Sequence, residues 1–150
     1  MKRITIVKSF ATIGLLFLLA FLIATPAVRA DESDQATRIT FSQPVQIPGR
    51  VLPAGTYVFV QPSDANEHYL VHIFNADRTE LYATVFTISA ERPQATGNTA
   101  FTFADRGSAG PEAIVTWFYP GETIGHEFLY PKQVEKELAS AKLVTVLAGK

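Results

Sequence analysis

Three histidines, one tryptophan and no cysteine are the side chains from which this 150-residue chain could build a reactive site. His68 and His72 stand four apart, a spacing that on a helix would turn both rings toward one metal ion. The residues around them have strand character, and at ~3.3 Å per residue two strand positions four apart lie about 13 Å from each other, so the pair cannot share an ion. With no thiol to complete a ligand set and no known ligand spacing, no metal and no cofactor is expected. His126 and Glu127 look like an acid/base pair, but neighbours in a strand point to opposite faces, so the two do not cooperate. No serine sits in a Gly-x-Ser-x-Gly elbow, and no glycine-rich loop opens a helix to cradle phosphate. The chain therefore reads as non-catalytic, with a small hydrolase as the enzymatic alternative.

Trp117 and Tyr119 are two apart in a strand-like segment and share a face next to the Pro120-Gly121 turn. They are the candidate ligand-binding residues, with His126 on the following segment as a third. Two readings compete. Exposed aromatics at such a place stack on sugar rings or anchor a partner protein. Alternatively, Trp117 is core filling, the usual fate of a large aromatic in a small β-domain.

The elements that would carry these residues are strands. Pro48-Gly49 and Pro53-Ala54-Gly55 are turn signals that deliver Thr56, Tyr57, Val58, Phe59, Val60 and Gln61, a run apolar on both faces and hence a central strand. Gly55, at the end of the second turn, is expected to need positive φ or a close backbone approach. Ahead of it, Ile39 and Phe41 alternate with polar residues as in a half-buried strand, and the short piece 45–47, hemmed in by prolines, reads as an edge. Behind it, 68–74 and 81–88 continue a three-strand meander. The last of these carries apolar residues on both faces, which predicts cover on both sides. Further strands are expected near 99–104, 113–119 and 124–130, the last two forming a hairpin about Pro120-Gly121. A helix with Val134, Leu138 and Ala141 on one stripe follows over 132–142, lying on a sheet without joining the core, and residues 143–147 return to strand or apolar tail. The sum is an all-β protein, an antiparallel β-sandwich of about seven or eight strands with one short C-terminal helix.

The first thirty residues belong to another category. Lys2, Arg3 and Lys8 precede an apolar run over 10–24, and Val28 and Ala30 occupy the −3 and −1 positions of a small-residue cleavage site. Residues 1–30 are read as a signal peptide and 31–150 as a single domain, exported to the periplasm or beyond the cell, with no stable membrane span after cleavage. Removing Lys2, Arg3, Lys8 and Arg29 from the 13 basic residues leaves 9 against 14 acidic ones, a formal net charge of −5. A mildly acidic surface with no basic cluster argues against nucleic acid as a partner. The absence of cysteine leaves an exported fold to depend on its core alone.

Several segments carry a resemblance. Leu52-Pro53-Ala54-Gly55-Thr56-Tyr57, the strand end Ile73-Phe74-Asn75, Trp117-Phe118-Tyr119-Pro120-Gly121 and Phe128-Leu129-Tyr130-Pro131-Lys132 resemble a group of exported bacterial small β-domain proteins of unknown function. The Pro-Ala-Gly-Thr-Tyr turn is also similar to that of larger domains of unknown function that are β-sandwiches. The resemblance implies the fold and brings no activity or catalytic residues. The function expected is that of a cell-envelope accessory or protein-interaction module with an envelope protein or glycan as partner. A carbohydrate-binding module is the alternative.

Overall fold

Polar residues at every second position make the first segment a half-buried strand, β1 (Gln35–Phe41), with Thr37, Ile39 and Phe41 buried and Arg38 and Thr40 exposed. The structure, a computed structural model, describes residues 35–64 and 66–148. The proposed signal peptide and its cleavage site lie outside the described residues, which fall within one compact unit, Glu32–Lys150.

β2 (Val45–Ile47) and β3 (Arg50–Leu52) form a small hairpin about Pro48-Gly49. Gly49 takes φ 83°, the left-handed value that the third position of a Pro-Gly type II turn requires. The strand after the second turn, β4 (Gly55–Gln61), buries Tyr57, Val58, Phe59 and Val60 in succession, so both its faces are covered. It is central, paired antiparallel with β1 on one side and β5 (Leu70–Asn75) on the other. The Tyr57 hydroxyl donates to the Pro53 carbonyl at 2.7 Å and holds the turn from within. Gly55 takes φ 159°, the positive value expected of it and one that residues with a side chain rarely adopt. It makes no close approach, since a Cβ there would meet the Tyr57 ring only at ordinary contact distances from 3.6 Å.

β6 (Leu81–Glu91) changes partners along its length. Residues from Leu81 to Phe86 pair with β5, while Thr87 to Glu91 pair with β9 (Ile124–Phe128). This long strand joins the β1-β4-β5 group to the one that follows. That group contains β7 (Thr99–Asp105) and β8 (Glu112–Phe118), with β8 between β7 and β9. Helix α1 (Lys132–Ala139) precedes β10 (Lys142–Ala148), which pairs along its full length with β7.

The protein is thus β-rich with one short α-helix, as its sequence predicts, but two details differ. Ten strands are present among the described residues, because β3 and β10 are strands in their own right. The pairing is also not wholly antiparallel, since β2 runs parallel to the start of β8 with Val45 opposite Glu112 and Gln46 opposite Ala113. For the same reason β2 is not an edge, being flanked by β3 and β8.

The core forms where β4 meets β7, β8 and β9. The Phe59 ring stands edge-on to Phe101 at 5.3 Å, Trp117 at 6.2 Å and Phe128 at 6.4 Å. Full burial of such side chains contributes roughly 1.5 to 3 kcal/mol each, which allows a chain without cysteine to fold without crosslinks. Helix α1 does not merely lie on the sheet. Leu138 is buried in the core cluster with Val134 packed against it, and Glu137 receives a 2.8 Å ion pair from Arg106. No described helix is long and apolar enough to cross a membrane.

Candidate functional site

Hairpin β8/β9 brings Trp117 and His126 directly opposite each other, and their rings stack with centroids 5.2 Å apart. The hairpin turns tightly through Pro120-Gly121. At Gly125 the strands approach so closely that a Cβ would lie 2.5 Å from both the Trp117 carbonyl oxygen and the Phe118 ring. Glycine is required there, and this close approach presses His126 onto Trp117.

Trp117 is 0% exposed. Its other face lies parallel to Phe101 at 6.2 Å and 10°, so the indole is the centre of an aromatic stack. Of the two competing readings, core filling describes Trp117, which points inward because β8 lies over β4, and Tyr119 is half-buried against the same core. These two rings therefore form no exposed stacking platform.

His126 is buried beside it but reaches polar partners. Its Nε2 lies 2.9 Å from Gln61 Oε1, and its Nδ1 lies 3.1 Å from Thr87 Oγ1. An amide oxygen only accepts, so Nε2 carries the proton and Nδ1 accepts from the Thr87 hydroxyl when the ring is neutral. Gln61 passes the chain on, donating to the His68 carbonyl at 3.4 Å. Burial pushes the imidazole pKa down to about 4, because a charged ring would lose its hydration. Protonation would not leave Nδ1 unmatched, since the Thr87 hydroxyl can turn to the Tyr69 carbonyl, 3.1 Å away. His126 borders a cavity of about 220 Å³ whose wall includes Gln35, His68, Tyr69, Ser89 and Glu122. The groups bonded to its ring are an amide and a hydroxyl, neither of which would drive it as a base. His68 shares the wall of this cavity with His126 and His72 does not, and no group of three potential metal ligands occurs among the described residues.

At the same end of the molecule, a guanidinium does what the sequence did not announce. Arg92 donates through Nε to the Glu122 carbonyl at 2.8 Å, through one amino group to Thr96 Oγ1 at 3.1 Å, and through the other to the Tyr119 carbonyl at 3.2 Å. It also covers the Phe118 ring at 4.7 Å. The 92–98 loop is thereby fastened to the Pro120-Gly121 turn.

The most unusual surface lies on β6. Both its faces were expected to be covered, but only the one bearing Val85 and Thr87 is. On the other face Phe86 is 68% exposed, with Ile88 exposed two residues along. Cross-strand register sets half-buried Leu70 opposite Phe86 and Glu127 opposite Ile88. Leu129, also exposed, donates its N–H to the Phe86 carbonyl at 3.2 Å and extends the patch onto the third strand. The pattern that predicted cover was legible. That the cover is missing was not. The chain matches no protein-family model, no curated protein and no solved structure.

Proposed function

We propose that this protein is an exported, non-catalytic β-sandwich module of the cell envelope that acts by binding another protein. The observation that carries the reading is the uncovered apolar stripe of Phe86, Ile88 and Leu129, bordered by half-buried Leu70, across β5, β6 and the residue after β9. A large aromatic left mostly in water costs solubility and contributes nothing to the fold, so its place on a rigid three-strand face suits a partner that buries it. The sandwich reading is supported by the β4 face packing on β7, β8 and β9. Export is supported by the basic, apolar and small-residue layout of residues 1–30.

A photo-crosslinking phenylalanine analogue placed at position 86, in cells expressing the full chain, should yield one discrete heavier product. The same analogue at exposed Thr40 on β1 should not. Phe86→Ser should abolish that partner's association while changing stability by no more than about 0.5 kcal/mol, as at other surface sites. Equal crosslinking from both positions, or none from position 86, would sink the proposal.

A further inference from the structure

Strand β10 has one paired edge and one open one. Among the described residues its only partner is β7, so the backbone groups of its far edge face outward over seven residues. Such an edge is normally defended by charge, proline, a bulge or brevity. β1, the free edge of the β4 group, carries exposed Arg38, and β3 is three residues long and begins with Arg50. β10 carries one charge, Lys142 at its start, and across the following Leu143, Val144, Thr145, Val146 and Leu147 it has no charge, proline or glycine. Leu143 is 57% and Leu147 54% exposed, an apolar load that a solvent-facing strand does not ordinarily carry.

The order of these residues identifies what fits the edge. Leu-Val-Thr-Val-Leu reads the same in both directions about Thr145. When two antiparallel strands are related by a two-fold axis through one residue, that residue faces itself and each other position faces its mirror position. Leu143 would lie opposite Leu147 of the second copy, Val144 opposite Val146 and Thr145 opposite Thr145. Directly opposed residues share a face. The four leucines therefore gather on one side of the joint and the four valines on the other. A one-residue slip would instead set leucine against valine and valine against threonine. We infer that the open edge of β10 pairs with β10 of a second copy in this register, joining two molecules through a continuous sheet. The contact is isologous and consumes the open edge of both strands, so the assembly closes at two. It is separate from the stripe around Phe86, and either can hold without the other.

The test uses the protein as it accumulates in cells that express the full chain. Sedimentation velocity should show a dimer at micromolar concentration that dissociates on dilution. Thr145 is exposed, and its side chain makes one hydroxyl contact, with Thr102 at 3.2 Å. Thr145→Lys and Thr145→Glu should each be folded and monomeric, because each sets like charges directly opposite at the axis. Mixing the two variants should restore the dimer. Because the chain has no cysteine, Thr145→Cys gives a second readout. Opposed Cβ atoms lie about 4.5 to 5.5 Å apart, close to what a disulfide spans, so mild oxidation should crosslink this variant. Lys142→Cys should not crosslink, since the two copies of that position would stand about 20 Å apart at ~3.3 Å per residue. A wild-type protein monomeric at every concentration would overturn the inference. So would a dimer indifferent to both charges at position 145, or open-ended association beyond two copies.

Discussion

At the scale of single residues, the chain places its most chemically capable side chain where chemistry is suppressed. His126 is kept neutral by burial, with both ring nitrogens matched to Gln61 and Thr87. Its pKa is about 4 in the folded chain against the usual 6.5, so between these values the unfolded chain holds a proton that the folded chain does not. Stability from neutral His126 is complete above about pH 6.5 and falls as pH drops toward 4, by roughly 3 kcal/mol at the lower end. His126→Gln keeps a donor and an acceptor at the site but cannot titrate. Urea midpoints of the wild type should therefore fall more steeply between pH 6.5 and 4 than those of the variant, although carboxylates titrate in both. Identical pH slopes would show that His126 is not the group responsible. Trp117 could be placed in a strand from its neighbours alone, whereas its burial depends on Phe101 and Phe59, far away in the chain.

Among the elements, the parallel contact between β2 and β8 is the least expected, because it spans two residue pairs and joins segments remote in sequence. Its fastening comes from outside both strands. The Tyr130 hydroxyl, just after β9, reaches the Ile114 carbonyl at 2.8 Å and the Gln46 carbonyl at 3.0 Å, bridging β8 and β2. Burial pushes this phenol's pKa up, so it stays protonated and able to donate. Tyr130→Phe should cost about 1 to 3 kcal/mol, since the two carbonyls lose the one hydroxyl proton they share and the ring still packs. Amide exchange in 45–47 should accelerate more than in β4. A variant melting with the wild type would show that the contact stands without the hydroxyl. Hairpins β4/β5 and β8/β9 were legible beforehand because their turns and strands are contiguous in sequence. The change of partners within β6 was not, since nothing in its alternation marks Phe86 and Thr87 as the point where β5 gives way to β9.

For the whole molecule, the export proposed from the layout of residues 1–30 carries the prediction that the mature protein starts at Asp31. Intact mass spectrometry of the exported species should give the mass of residues 31–150, and a membrane-held chain beginning at Met1 would overturn that reading. Within the described residues, the local elements follow from the order of residues along the chain. Alternation placed β1, proline and glycine placed the turns before β4, and an uninterrupted apolar run made β4 central. These signals act between near neighbours, where backbone preference and side-chain period decide. Tertiary structure alone decided which faces were covered. Trp117 and Phe86 are both large aromatics in strands, and sequence favoured exposure for neither, yet one lies under β4 and the other in water. The difference is whether a distant strand crosses that face. Local pattern shows which face of a strand is apolar, but whether another strand covers that face is settled only after the strands have paired.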